Sequence, residues 1–273
     1  SDVCSSDLFN AHNDFLTEIA KFRAARSLWA KIMKDRFGAT DEKAMLCRFH
    51  TQTGGSTLTA QQVDNNVVRT TIQALSAVLG GTQSLHTNAF DEALALPTDN
   101  SAKLALRTQQ VIAHESGVTN FVDPLGGSEV IEKLTSDLEE EALAIIEKID
   151  NMGGAISAIK AGWVQSEIGK SAYEYQKSVD SKDNKIVGVN SFEEDDESES
   201  DLQEINQESV KNQIDGVLKF KEDRDNGSVQ SKLTVLQSVA NSENNLMPAI
   251  IDCIRAECTL GEVADSLDRK SVV

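Results

Sequence analysis

The sequence predicts an α/β fold in which βαβ units build a parallel sheet, followed by a mostly helical extension. Three observations predict it. Short apolar runs alternate with amphipathic helical stretches between Asn13 and Leu85. Each such stretch is long enough to cross over a sheet and return the chain parallel to itself. After Pro97 the periodicity becomes almost wholly helical. An α/β barrel and an open doubly wound sheet both satisfy this pattern, and no Gly-x-Gly-x-x-Gly follows either strand, so a dinucleotide-binding open sheet has little support.

The elements follow in order. From Asn13 to Phe37, Phe15, Ile19, Phe22, Trp29 and Met33 recur at helical spacing, with Asn13 as cap and Gly38 as stop. Ala44 to Phe49 is short and apolar and runs into the polar, glycine-bearing stretch His50 to Ser56, as a buried strand entering a loop does. A second helix is expected over Gln61 to Leu79, carrying Val67, Val68, Ile72, Leu75 and Leu79 and ending at Gly80-Gly81. Thr82 to Leu85 reads as the next strand. Helices are then expected at Ser101 to Ser116, Ser128 to Asn151, Val164 to Val179, Glu208 to Asp223 and Glu243 to Leu267. The acidic run Glu193 to Asp201 repels itself and holds no apolar anchor, which marks a solvated linker near residues 193–205.

Composition narrows the function classes. A chain of 273 residues with 40% hydrophobic content can bury a sizeable core in one or two domains. Its formal net charge of −18 argues against nucleic acid, because neutralising phosphates needs clustered Lys and Arg. No apolar run approaches the ~18 residues of a membrane span, and no leader of secretory type opens the chain, so the expected location is cytoplasmic. Cys4, Cys47, Cys253 and Cys258 form no Cys-x-x-Cys pair and stand near no suitably spaced His, so reduced, ordinary thiols are expected and neither zinc nor a disulfide framework is indicated. Both ends are expected to lie outside the fold. Val3 to Leu8 and Asp268 to Val273 can be back-translated into stretches whose cores are reverse complements, a relation that resembles read-through of a sequencing adapter, and Ser1–Leu8 and Asp268–Val273 are set aside for that reason.

In parallel α/β barrels, binding groups sit where the carboxyl ends of strands open into loops. Two stretches fit, His50 to Ser56 and His86 to Asn88, and they bring two histidines, Gln52, Gln83 and several hydroxyls toward one rim. Gln52 and Gln83 cannot act as acid or base at neutral pH, but they can donate to and accept from an amide, a ribose or a thioester carbonyl, or simply tie a loop to the rim. Gly54-Gly55 permits close approach of backbone to a bulky ligand, or a tight turn. His50 and His86 have no acidic third ligand at a compelling spacing, so no metal site is assigned.

Ordered motifs then carry a resemblance. Phe22-Arg23-Ala24-Ala25-Arg26, Arg48-Phe49-His50-Thr51-Gln52-Thr53-Gly54-Gly55, Asn65-Asn66-Val67-Val68-Arg69, Gly81-Thr82-Gln83-Ser84-Leu85-His86-Thr87-Asn88, Asp91-Glu92-Ala93-Leu94-Ala95-Leu96-Pro97 and Asp123-Pro124-Leu125-Gly126-Gly127 resemble the cobalamin-dependent acyl-CoA mutase family, of the methylmalonyl-CoA mutase type. The likeness continues weakly to Thr259-Leu260-Gly261-Glu262. Ser56 departs from it, standing where some members carry tryptophan, and so does Glu129-Val130, where members often place aromatics.

The resemblance implies that residues 9–127 are the C-terminal strands and helices of a (β/α)8 TIM-type barrel and that 128–267 form a helical post-barrel extension. It implies a C-terminal fragment of the catalytic large (alpha) subunit of an isomerase, inactive by itself. The activity implied is a radical carbon-skeleton rearrangement dependent on adenosylcobalamin (vitamin B12), methylmalonyl-CoA to succinyl-CoA first, with isobutyryl-CoA or another acyl-CoA as alternative, or a non-catalytic relative that keeps the barrel mouth. Gln52 and Gln83 would face substrate and the adenosyl group, and Gly55, Glu92 and Ala95 would contact the corrin. The family's catalytic residues are expected upstream of Phe9. No Asp-x-His-x-x-Gly run is present to supply cobalt's lower ligand, so a cobalamin-binding domain or small subunit is the expected partner, within an oligomer of mutase subunits.

Overall fold

The computed structural model describes residues 7–194 and 202–268. Ser1–Ser6, residues 269–273 and most of the acidic run, 195–201, lie outside the described residues, so the expectations for those segments do too. The chain divides into two compact units, 1–203 and 204–273. Contacts divide the chain at 203/204, whereas the division at 127/128 is what the resemblance implies.

The first unit is built on a three-stranded parallel sheet in sequential order: β1 (Asp7–Ala11), β2 (Phe49–Thr53) and β3 (Ser84–His86). The crossovers are α1 (Phe15–Lys31), prolonged by a wider π turn over Ile32–Arg36, and α2 (Asn65–Leu79). Three strands running the same way leave all their carboxyl ends on one edge, where the loops 12–14, 54–64 and 87–98 gather. The βαβ expectation is therefore met by a mixed α/β unit with a small parallel sheet.

Several boundaries differ from the sequence reading. The strand expected at Ala44–Phe49 lies at Phe49–Thr53, and Glu42–Met45 is a 3-10 turn. The apolar run Ala44 to Cys47 looks like a buried strand locally, but the ladder is where β1 and β3 offer partners: Phe49, Thr51 and Thr53 are buried in alternation with His50 and Gln52. The strand expected at Thr82–Leu85 is shifted to Ser84–His86. β1 was not expected, and it takes in Asp7 and Leu8, two residues set aside as foreign; their backbone pairs with Phe49 and His50, since a ladder uses main-chain groups whatever the side chain.

The helix-facing side of the sheet is sealed by aromatic residues. Phe22 from α1 stacks on Phe49 at 5.3 Å, and Phe9 meets both edge-on at 6.0 and 5.1 Å. Ala11, Cys47 and Ala77 complete the cluster, with Trp29 and Leu85 against it. Gly80 ends α2 directly over Phe22, where any Cβ would collide with the ring. After β3 come α3 (Asp99–Glu115), capped by Thr98 through its hydroxyl, and α4 (Glu129–Asn151), which packs along α1. Arg23 of α1 bridges to Asp123 and Glu132, and Arg36 to Asp150. α5 (Ala155–Lys160), not expected, and α6 (Trp163–Asp180) complete the helices of this unit.

The second unit comprises α7 (Gln207–Asp223), α8 (Asn226–Ala240), α9 (Leu246–Arg255) and α10 (Leu260–Asp268). Its core is Val229, Leu233, Leu236, Ala249, Cys253 and Val263. α8 was not expected, and the single helix expected over Glu243–Leu267 is two. The chain breaks for local reasons. Glu257 takes φ +66°, the Cys258 N–H donates to Cys253 O and the Glu257 N–H to Ile254 O, which is a Schellman C-cap. Two residues on, Thr259 and Glu262 cap each other across the first turn of α10, the Thr-x-x-Glu capping box. No helix among the described residues is long and apolar enough to cross a membrane.

Candidate functional site

The sheet has a second face, turned away from the aromatic cluster. Strand alternation puts Leu8 and Asn10 of β1, His50 and Gln52 of β2, and Ser84 and His86 of β3 on it. The register sets these in two rows, Leu8–His50–Ser84 and Asn10–Gln52–His86. The ring Nδ1 of His50 lies 2.6 Å from Ser84 Oγ, so the first row is tied together. The second row reaches the carboxyl edge, where the loops take over.

Two loops meet at that edge. The Gln52 side-chain amide donates to Asn88 Oδ1 at 3.2 Å. Asn88 is buried and donates through Nδ2 to Thr53 O at 3.0 Å and through its backbone N–H to Thr53 Oγ1 at 2.9 Å, which clamps the loop after β3 onto the end of β2. Gly55 lies beneath Glu92: a Cβ built on Gly55 would come within 2.7 Å of Glu92 Oε1 and 2.9 Å of Asn88 Nδ2. The glycine is required here by close approach, since its φ is ordinary. Desolvation raises the Glu92 carboxyl above the usual range, His86 pulls it down, and Asp91 adds a smaller upward push. Ala95 sits half-buried on the same loop, which is wound about Asp91; that buried carboxylate accepts the Thr98 N–H through Oδ2 at 3.2 Å.

Gln52, Gly55 and Glu92 therefore share one rim with His86, and Ala95 follows on the same loop as Glu92. Gln83 does not join them. It precedes β3 at the opposite end of the sheet, where its Oε1 accepts the Phe49 N–H at 2.7 Å and its amide donates to Gly81 O at 3.0 Å. Phe49 pairs one step before His50–Ser84, so Gln83 stands about three residues, roughly 10 Å, along the strand from the Gln52–His86 row. Both glutamines fall at one rim only if His50 to Ser56 is loop; with His50 to Thr53 in the strand, the sheet's length separates them.

The groups that brace this rim were not singled out in the sequence. Asn66 and Gln73 are fully buried on one face of α2, seven residues and two turns apart. Gln73 donates to Asn13 Oδ1 and to Thr57 Oγ1, both at 2.6 Å, and accepts the Gly54 N–H at 3.0 Å, joining the loops after β1 and β2. Asn66 accepts from Thr59 N–H at 3.1 Å and donates to Thr59 O and Phe90 O, each at 2.8 Å, joining the loops after β2 and β3. An amide pair at seven-residue spacing within the apolar stretch of a helix was the available signal. Rim amides, an exposed imidazole and a carboxyl can donate to and accept from an amide- or hydroxyl-bearing ligand.

The comparisons with known proteins bear on this arrangement. The family model for methylmalonyl-CoA mutase matches residues 6–272. Among curated relatives, the 2-hydroxyisobutanoyl-CoA mutase large subunit of Aquincola tertiaricarbonis is 45% identical over 261 residues, 95% of this chain and 46% of that protein. The methylmalonyl-CoA mutase of Escherichia coli (strain K12) is 44% identical over 264 residues, 96% and 37% of the two chains. The mitochondrial methylmalonyl-CoA mutase of Mus musculus is 43% identical over 258 residues, 94% and 34%. The chain thus spans between a third and a half of the length of these relatives.

Proposed function

The chain belongs to the methylmalonyl-CoA mutase family, and from that premise we propose that it forms part of the catalytic subunit of an adenosylcobalamin-dependent acyl-CoA mutase that converts methylmalonyl-CoA to succinyl-CoA. The observation that carries this reading is the Gln52–Asn88–Glu92–Gly55 rim at the carboxyl edge of a parallel sheet. In the proposed whole enzyme β1 to β3 are strands of a (β/α)8 barrel, and this edge belongs to its mouth. The relatives' names, acyl-CoA mutases in each case, support the reaction class.

The rim suits the cofactor by the chemistry of its groups. A corrin carries peripheral carboxamides and its adenosyl group a ribose, neutral donors and acceptors that amide and carboxyl side chains can match. Glu92, Gly55 and Ala95 would hold the corrin edge, Gly55 keeping the backbone low and Glu92 exchanging hydrogen bonds with carboxamides. Gln52 would orient the adenosyl group and the reacting end of the substrate, its other bond to Asn88 fixing its direction. The resemblance puts Gln83 toward substrate, but its amide is engaged by the backbone of Phe49 and Gly81, so we propose for it a bracing role at the amino-terminal end of β3. Bound adenosylcobalamin supplies the radical chemistry, and this chain's groups bind, orient and keep water from the rim. Partners on this reading are the acyl-CoA, a cobalamin-binding domain or small subunit, and further mutase subunits; the setting is cytoplasmic, without nucleic acid or membrane.

Turnover of methylmalonyl-CoA, 2-hydroxyisobutyryl-CoA and isobutyryl-CoA by the full-length enzyme, with its small subunit if separate, tests this directly. Adenosylcobalamin-dependent formation of succinyl-CoA is expected. Turnover of only another acyl-CoA would move the assignment within the family, and cobalamin binding without turnover of any acyl-CoA would make the protein a non-catalytic relative.

A further inference from the structure

The second unit contains two thiols brought together by a helix end. Cys253 occupies the third position before the C-cap of α9, and Cys258 is the second residue beyond it. In a Schellman motif those two positions share the 6→1 backbone bond, here Cys258 N–H to Cys253 O at 2.9 Å, and their side chains meet over it. Cys253 is fully buried, Cys258 is half-buried and packs against the same core, and both are free thiols. The Cys258 Sγ lies 3.9 Å from Val229 O, so its side chain is turned inward toward α8 and Cys253. A turn that hydrogen-bonds the two backbones to each other and sets both side chains in one core gives the proximity a disulfide needs.

We propose that Cys253 and Cys258 are a reversible dithiol–disulfide pair, oxidised by thiol–disulfide exchange with a small disulfide such as oxidised glutathione. Cys258, the one with solvent access, attacks a glutathione sulfur as its thiolate; the glutathione S–S bond breaks, one glutathione leaves and takes the proton Cys258 gave up. Cys253 then loses its proton and attacks Cys258 Sγ, the mixed disulfide breaks, and the second glutathione leaves with that proton. Two protein thiols are oxidised and one glutathione disulfide becomes two thiols. The order of attack follows from burial: the Cys253 thiol is pushed up to about 11 by desolvation and by its neighbour Cys258, so it ionises late and acts as the resolving group. Sequence spacing alone, Cys-x-x-x-x-Cys, gave no sign of the pair, because the contact is made by the left-handed turn at Glu257.

The full chain, equilibrated with defined ratios of oxidised and reduced glutathione, trapped with iodoacetamide and digested with trypsin, gives a direct readout, since Arg255 lies between the two cysteines. Oxidation is expected to yield a cross-linked pair of peptides that separates on reduction. Cys253→Ala should leave a glutathione adduct that persists on Cys258, and Cys258→Ala should leave Cys253 unmodified, with unchanged circular dichroism reporting that both variants fold. The proposal is overturned if no cross-linked pair forms at any ratio while wild type and Cys253→Ala carry equal adduct on Cys258, or if the only disulfide joins Cys258 residues of two copies.

Discussion

The two units are held together by different means. Among the described residues, the fully buried polar residues, including Thr51, Thr53, Asn66, Gln73 and Asn88, lie in the first unit, whereas the core of the second is apolar residues and one cysteine, with a single ion pair, Arg224–Glu262, tucked against its edge. Apolar packing is non-directional and tolerates many arrangements of similar volume; a buried amide is stable only where its partners stand. The first unit therefore fixes three loops by geometry, as a rim that must orient a ligand requires. The second unit secures four helices chiefly by volume, with caps and the Arg224–Glu262 pair to set their ends.

Substitutions can break this contrast. Leu236→Ala opens a cavity in the apolar core and should cost about 3 kcal/mol of the second unit's stability, with amide exchange in β2 unchanged. Loss of protection in both units together would show that they unfold as one. Gln73→Leu leaves Asn13 and Thr57 without their partner, at an expected cost of about 2–3 kcal/mol. Its signature is local: the loops 12–14 and 54–57 should exchange faster, and an evenly spread loss would make Gln73 an ordinary core residue.

The third prediction concerns charge. Arg224, nearly buried, donates to both Glu262 oxygens and holds that carboxyl well below the usual range. A depressed carboxyl contributes stability above its unfolded pKa, about 4.3, and loses it as pH falls toward the folded value. Arg224→Met should cost about 1–2 kcal/mol at neutral pH after allowance for solvent screening, and denaturation midpoints of wild type and variant should converge as pH drops below about 4. A constant gap across that range would assign the loss to packing. The smallest effect on stability is expected from Gly55→Ala, about 1 kcal/mol, because the exposed Glu92 carboxylate can swing aside and only the Asn88 amide must shift, by a few tenths of an ångström. The displaced rim should instead weaken adenosylcobalamin binding by the full-length enzyme, read by absorbance titration, and unchanged affinity would remove Gly55 from the site.

Much of this was legible residue by residue. The helix over Asn13 to Phe37 begins at Phe15 and runs to Arg36, because its apolar spacing is local. The motifs around Gln52, Gly55 and Glu92 pointed to one edge of the sheet, and Asn88 joins Gln52 to the Gly55–Glu92 contact there. Less legible was where β2 begins: Ala44 to Cys47 is as apolar as a strand, and only partners on both sides distinguish Phe49 to Thr53. The Thr259–Glu262 capping box was readable and divides a stretch whose periodicity suggested a single helix.

By itself, then, the sequence determined the kind of unit and its family, since helical periodicity, turn glycines and ordered motifs are properties of neighbouring residues. Only the tertiary structure decided which backbone groups pair, and with that the separation of Gln83 from Gln52, the bracing of three loops by Asn66 and Gln73, and the meeting of Cys253 with Cys258. The reason is the same in each case: a ladder, a buried amide and a helix cap are completed by partners that another segment, or one left-handed residue, must bring into place.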